Sequence, residues 1–388
     1  MDKRPAHILP VIVLAQFAGT ALWFSGNAVL PDLQREWGFP PEAVGWVTTA
    51  VHAGFIAGTL VFAFLSLADR FSPRLIFLVC ALFGGAANGG LLLLDHDLWG
   101  LLALRFAVGF FIAGIYPVGM KITSGWFQAD LGRALGYLVG ALVLGTAFPH
   151  LVRGVGQTLP WAGVIVITTV CAMVGGALMA LAVPDGPYLK PGKPFDPKAL
   201  GEVFRSEGFR ASSFGYFGHM WELYAFWAFL PVVLAWRSQA DGLYLNVPLI
   251  SFMVIAVGVV GSVAGGVLSL RYGSAQVGRI QLAISGLLCL FSPLLLTAPL
   301  AVTMVALVVW GVTVVGDSPQ FSALNAQYAP PHLVGSALTI ANCIGFGISI
   351  ASIQLLSSLL SVLPTQYLFL LLVPGPLFGV LSLKPLLK

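Results

Sequence analysis

The chain has 388 residues, of which 58% are hydrophobic and 9% charged, and its formal net charge is +4. A soluble domain carries about 25% charged residues, so 15 acids and 19 bases on this length cannot build a water-soluble surface. Soluble enzyme, nucleic-acid binder and disordered scaffold are excluded, and lipid is the solvent for most of the chain.

Met1-Asp2-Lys3-Arg4 leads straight into an apolar run of about 23 residues, longer than the roughly 7–15 residues of a signal-peptide core. It reads as a retained first span. A spanning helix needs about 20 apolar residues. Charges and Pro/Gly clusters divide the chain into twelve such stretches: 8–30, 44–67, 75–94, 99–123, 133–152, 161–183, 211–235, 247–270, 280–298, 300–323, 333–360 and 365–384. Span one is expected to end at Leu30-Pro31 and span seven at Leu230-Pro231, while Pro299 and Pro364 mark tight turns. Long continuous apolar runs are unlike the alternating segments of about 10 residues in a membrane β-barrel. Between spans six and seven lies the longest polar segment, 184–210, opening Pro184-Asp185-Gly186-Pro187 and carrying five Lys/Arg. It reads as a cytoplasmic linker between an N-terminal bundle, 1–183, and a C-terminal bundle, 211–388. With twelve spans, the side that holds both termini receives fourteen Lys/Arg and the other side three, Arg35, Arg153 and Arg237. That asymmetry places the termini in the cytoplasm.

The two halves repeat. Gly109-x4-Gly114-x2-Pro117 in span four recurs as Gly311-x4-Gly316-x2-Pro319 in span ten. Leu65-Ser66-Leu67 with Arg70 recurs as Leu268-Ser269-Leu270 with Arg271, and Gly132-Arg133-Ala134-Leu135 as Gly335-Ser336-Ala337-Leu338. Together with the two Leu-Pro pairs, the offsets all lie between 200 and 203 and keep their order. The expected fold is therefore an all-α membrane protein, with twelve transmembrane helices in two six-helix bundles related by pseudo-twofold symmetry. Such duplicated bundles hold a solute near the bilayer midplane.

These motifs resemble the major facilitator superfamily over essentially the full length. Leu67-Ala68-Asp69-Arg70-Phe71-Ser72-Pro73-Arg74 is similar to its G-x-L-A-D-R-x-G-R-R/K loop, with Leu65 and Ser72 in place of the two glycines. Arg105-Phe106-Ala107-Val108-Gly109 is similar to its R-x-x-Q-G signature, with Val108 for Gln. The antiporter G-x-x-x-G-P motif is not met in span five, where Gly140 and Gly145 precede a late Pro149. Gly114-Ile115-Tyr116-Pro117 followed by Trp126-Phe127 resembles small-anion porters of the nitrate/nitrite type. Their paired arginines are missing here, since span two offers His52 and span eight has no internal charge. The resemblance implies a secondary active transporter working by alternating access. It implies a coupling or anion-holding role for Arg105, a place for Tyr116 in the substrate path, and a conformational-switch role for Asp69, Arg70 and Arg74.

Ionisable groups inside a membrane are costly and are functional candidates. Glu222 lies midway along span seven, and His219, three residues away, shares its helix face. Glu222 can exchange a proton, with His219 as its partner, or make a static interhelical bond. Asp317, beside Gly316 and Pro319, suits a gate or ion contact, or a polar plug. Arg105 can otherwise snorkel or bond carbonyls. Lys121 can pair with the Asp69 loop or contact substrate. His52 and His150 can be ligands or packed helix contacts. Asn342 lies well inside span eleven and, with Asn27, Asn88, Gln157 and Asn325, can hydrogen-bond a solute. Trp23, Trp221, Tyr224 and Trp227 can line a cavity. Cys80, Cys171, Cys289 and Cys343 form no CxxC pair and read as small buried hydrophobes. There is no metal pattern, no GxxxxGK[ST] run and no enzyme motif, so no cofactor is expected.

The expected function is transport of a small polar or anionic solute by a monomer in a bacterial inner membrane, with protons coupled through Glu222, His219, Asp317 and Arg105. Arg105, Lys121, His52, Tyr116, Trp221, Tyr224 and Asn342 are the expected substrate contacts. Export of amphipathic drugs or cations is the alternative, and a non-transporting receptor on the same scaffold is the alternative of another class. Lipid is the only other expected partner, with no nucleic acid.

Overall fold

The computed structural model describes residues 5–128, 130–189, 195–197 and 199–387. The described residues form helices and no strand. Twelve helical stretches are long and apolar enough to cross a membrane: Ile8–Trp37, Ala43–Phe64, Pro73–Leu93, Leu98–Trp126, Leu131–Val155, Trp161–Ala182, Glu207–Ala240, Val247–Tyr272, Ser274–Thr297, Leu300–Tyr328, Val334–Leu359 and Thr365–Ser382. Hydrocarbon offers backbone amides no water, so each apolar run must close its own hydrogen bonds as a helix. The chain is an all-α membrane protein of two six-helix halves.

Two boundaries differ from expectation for one reason. Pro31 and Pro231 lie inside helices rather than ending them, and spans one and seven continue to Trp37 and Ala240. Proline forfeits one helical hydrogen bond, and contacts beyond each proline outweigh that loss. Past Pro31, Asp32 accepts from Arg153 Nη2 at 2.8 Å and Nε at 3.0 Å, and Trp37 packs edge-on against Phe39 and Trp161. Past Pro231, Arg237 donates to the carbonyls of Leu296 (2.5 Å) and Ala298 (2.8 Å) and pairs with Asp241 at 2.7 Å.

Spans four and ten are each interrupted where the repeated Gly-x2-Pro falls. Span four divides into Leu98–Ile112 and Tyr116–Trp126, and span ten into Leu300–Gly316 and Ser318–Tyr328. In both, the proline sits in the first turn of the second helix, where its missing N–H costs nothing. Span one is interrupted between Ile8–Thr20 and Ser25–Trp37.

The residues group into two compact units, 1–40 with 47–194 and 41–46 with 195–388. Within the first, a Cβ on Gly109 would fall 1.9 Å from the Val51 carbonyl, and one on Gly58 2.3 Å from the Phe110 carbonyl. Within the second, Gly311 meets the Val254 carbonyl at 2.0 Å and Gly261 the Val312 carbonyl at 1.8 Å. The second and fourth spans of each unit thus approach backbone to backbone at matching positions.

The segment read as a linker is divided. Its first part belongs to the first unit: Trp126 Nε1 donates to the Pro184 carbonyl (2.9 Å), Tyr188 N to the Gly125 carbonyl (2.9 Å), and Ser72 Oγ to Asp185 (2.8 Å). A short helix, Ala199–Val203, belongs to the second and buries Ala199 and Val203 against Phe209, Ala337 and Ala341. Glu207–Arg210 already belong to span seven, whose start is capped by Ser206. Lys3, Arg4, Lys190, Lys193, Lys198 and Lys388 lie outside the described residues.

Candidate functional site

Span seven is the most enclosed of the twelve and carries the principal cluster of the second unit. His219, Glu222 and Asp317 are all buried. The shared face of His219 and Glu222 does not make them partners. His219 Nδ1 lies 2.8 Å from Asp317 Oδ1, at the interruption of span ten. Glu222 turns to three neutral donors. Trp310 Nε1 donates to Oε1 at 2.6 Å, Ser285 Oγ to Oε2 at 2.8 Å, and Cys289 Sγ to Oε1 at 3.4 Å. Trp310 is itself fixed by stacking on Phe226, with ring centroids 4.6 Å apart, and by Phe369 edge-on. No arginine or lysine pairs with Glu222 among the described residues.

The first unit has a cluster of opposite sign. Arg105 is 1% exposed, so it does not snorkel. Nη2 donates to the carbonyls of Leu22 (2.7 Å) and Trp23 (2.8 Å), which lie at the interruption of span one. Nη1 donates to Ser25 Oγ (3.0 Å) and Asn88 Oδ1 (2.9 Å), and Ser25 Oγ also donates to Asn88 Oδ1 (2.5 Å). Asn88 Nδ2 reaches Thr168 and Thr169 of span six at 3.1 and 3.0 Å. All of Arg105's partners are neutral. Trp23 packs tilted on Phe55 (5.1 Å) and edge-on to His52 (6.2 Å), while Phe24 lies 6.4 Å from His150.

The other expected contacts fall elsewhere. Lys121 Nζ donates to the Ala68 carbonyl at 2.7 Å and bonds Asp69, so it is held by the loop after span two. Arg74 donates to the Ala180 carbonyl at 3.2 Å, and Arg70 is exposed. Trp221 Nε1 donates to the Leu371 carbonyl at 3.1 Å, and its side chain packs against Gly375 of span twelve. Tyr224 packs edge-on to Trp227 (5.5 Å) and tilted on Phe346 (5.2 Å). Asn342 accepts from Tyr216 OH at 3.0 Å, and Asn325 from Ser212 at 2.7 Å. Tyr116 is half-buried at the start of the second helix of span four. Sequence reasoning missed Ser285, Trp310 and Ser25, and it treated Cys289 as packing only. The spacing of Ser285 and Cys289, one helical turn apart, was the available signal.

The niacin transporter NiaP of Acinetobacter baylyi is 32% identical over 133 residues, 31% of this chain and 29% of that one, so the chain spans under a third of that relative. The probable sulfoacetate transporter SauU of Cupriavidus necator is 22% identical over 331 residues, 76% of this chain and 74% of that one. Among solved structures, the nucleoside transporter NupG (D323A mutant) superposes with a TM-score of 0.74 at 12% identity, covering 98% of this chain and all of that one. The human organic anion transporter MFSD10 superposes at 0.69 and 14% identity, again over 98% and 100%. These superpositions show the fold. The family model of the Major Facilitator Superfamily matches residues 12–354, and with twelve spans in two six-helix halves the chain belongs to that superfamily, as an integral multi-pass membrane transporter.

Proposed function

We propose that this chain is a proton-coupled secondary active transporter of a small polar or anionic solute, a monomer that alternates access by rocking 1–183 against 211–388. The carrying observation is Glu222, a buried carboxyl held by three neutral donors and, among the described residues, by no cation. A proton is the simplest charge to complete it, and the His219–Asp317 pair lies next along the same two spans. Arg105, buried among neutral partners, makes the first unit's interior positive, which favours an anionic solute. SauU, aligned over 76% of this chain, is named as a probable transporter of sulfoacetate, a solute of that class. Lys121 with Asp69, Arg70 and Arg74 forms the switch loop. The excess of Lys and Arg beside the termini supports a cytoplasmic position for that loop, and a bacterial inner membrane is the membrane proposed.

The solute class is tested first, by thermal shift of the purified protein against panels of small anions, neutral metabolites and lipophilic cations, because a bound ligand stabilises the folded state. Stabilisation by anions is expected, and stabilisation by lipophilic cations overturns the anion assignment. In vesicles, Glu222→Gln is expected to abolish gradient-driven accumulation of the identified solute and to retain its downhill exchange. Wild-type accumulation by Glu222→Gln sinks the coupling role.

A further inference from the structure

Spans nine and twelve lie side by side in antiparallel register. A Cβ on Gly286 would fall 2.7 Å from Pro376 Cβ, and one on Gly379 2.6 Å from Leu282 Cδ2. Arg279, Leu282 and Gly286 are spaced i, i+3, i+7, so Arg279 stands on the face of span nine that meets span twelve. The register brings Arg279 level with Ser382, where span twelve ends and Lys384 follows. The two cations thus flank the same end of one seam.

Neither cation is neutralised. Arg279 is half-buried and Lys384 exposed, and neither makes a hydrogen bond or ion pair among the described residues. From residue 242 to residue 388 the only acid is Asp317, which is buried. A guanidinium that has given up part of its water gains from a phosphate, which its fork can bind through two N–H groups. Away from the cations the seam is flanked by apolar strips. Leu287 and Leu294 are exposed on span nine, eight and fifteen residues beyond Arg279 and close to its helix face. Leu377 and Leu381 are exposed on span twelve, four apart on one face, with Lys384 three residues later. A cationic end joined to two strips of leucine matches a molecule with an anionic head and two hydrocarbon chains. Arg271 gives the contrast. Span eight meets span nine through Gln281, whose Nε2 donates to the Gly261 carbonyl at 3.2 Å, about 200° round the helix from Arg279. Arg271, in the last turn of span eight, is exposed and lies over the Tyr272 ring, 5.2 Å from its centroid. It carries the same charge at the same end of the bundle, but off the seam.

We propose that the lipid-facing seam of spans nine and twelve binds an anionic phospholipid, its phosphate held by Arg279 and Lys384 and its acyl chains laid along the two leucine strips. Basic side chains at the membrane surface attract anionic headgroups. The half-buried Arg279 fixes where the phosphate sits, and Lys384 closes on it from the bath side. The site is independent of the solute and of Glu222.

The test is native mass spectrometry of the purified full chain in detergent, titrated with phosphatidylglycerol and with phosphatidylcholine of the same acyl chains. The wild type is expected to hold one phosphatidylglycerol at least about fivefold more tightly than phosphatidylcholine, the scale of one basic side chain beside an anionic headgroup. Arg279→Gln and Lys384→Gln are each expected to lower that preference, and the double variant to abolish it. Arg271→Gln is expected to keep it. Lys384 lies exposed past the helix end, so Lys384→Gln decides the matter if Arg279→Gln fails to fold. Equal affinity of the wild type for the two lipids overturns the site, as does an undiminished preference in the folded variants. An equal loss in Arg271→Gln overturns it by showing attraction to surface charge at large. Displacement of phosphatidylglycerol by millimolar inorganic phosphate overturns it in favour of a free anion.

Discussion

Arg105 shows how a single charge is accommodated inside a bilayer. Its guanidinium has no carboxylate partner among the described residues. It is held by two backbone carbonyls, a hydroxyl and an amide oxygen, and the interruption of span one exists where those carbonyls are needed. Gly26 makes the room, since a Cβ there would fall 2.9 Å from Nε. Asn88 is the hinge of the arrangement, because its oxygen accepts from Arg105 and Ser25 while its nitrogen reaches span six. Asn88→Ala is therefore expected to destabilise by about 3 kcal/mol, the scale of a lost hydrogen bond to a buried charge. Asn88→Asp, which keeps the acceptor, is expected to be tolerated. Thermal unfolding in detergent checks both, and an unchanged midpoint for Asn88→Ala refutes the assignment. The sequence marked Arg105 as unusual because a charge stands out in an apolar run. It gave no sign of the partners, which are mostly backbone and come together only through packing of separate helices. The same limit explains Glu222 and His219: helical spacing put them on one face, but each found a better partner on another span.

At the scale of elements, the duplicated motifs were legible because glycine and proline act locally. The Gly-x2-Pro spacing foretold matching features in spans four and ten, and both are interrupted there. Where the reading failed, at Pro31 and Pro231, proline's local cost was outweighed by Asp32–Arg153 and by Arg237 with its carbonyls, contacts formed with distant parts of the chain. The glycines' close approach yields a paired prediction. Gly109→Ala and Gly311→Ala force a Cβ to about the same distance from a backbone carbonyl, 1.9 and 2.0 Å, which cannot be relieved by a rotamer change. Each is expected to destabilise by about 1–3 kcal/mol, as for overpacked cores, and by similar amounts. Gly136→Ala and Gly347→Ala, where no atom lies within 4 Å of the added carbon, should be neutral or stabilising by about 0.5–1 kcal/mol through helix propensity. Equal effects at all four sites, measured by thermal unfolding, would remove steric approach as the reason for Gly109 and Gly311.

Taken whole, each half builds its polar centre from its first, third and fourth spans, one around Arg105 and the other around Glu222. Asn88 and Cys289, 201 positions apart, serve the two charges from matching places, one as acceptor and one as donor. One duplicated scaffold thus carries two charges of opposite sign. The exposed charges concern the membrane rather than the core. Lys and Arg collect beside the termini and the even-numbered span ends, and a basic loop resists translocation, so those loops should lie in the cytoplasm. The reading can be checked with two single cysteines in a chain whose four native cysteines are replaced. Gly132 is exposed at the start of span five, where an added side chain meets nothing within 4 Å, and Tyr244 is 79% exposed in the turn before span eight. A membrane-impermeant maleimide is expected to label Tyr244→Cys on intact cells and Gly132→Cys only in inverted vesicles. The opposite pattern would reverse the orientation, and labelling of both from one side would contradict the odd number of crossings between residues 132 and 244.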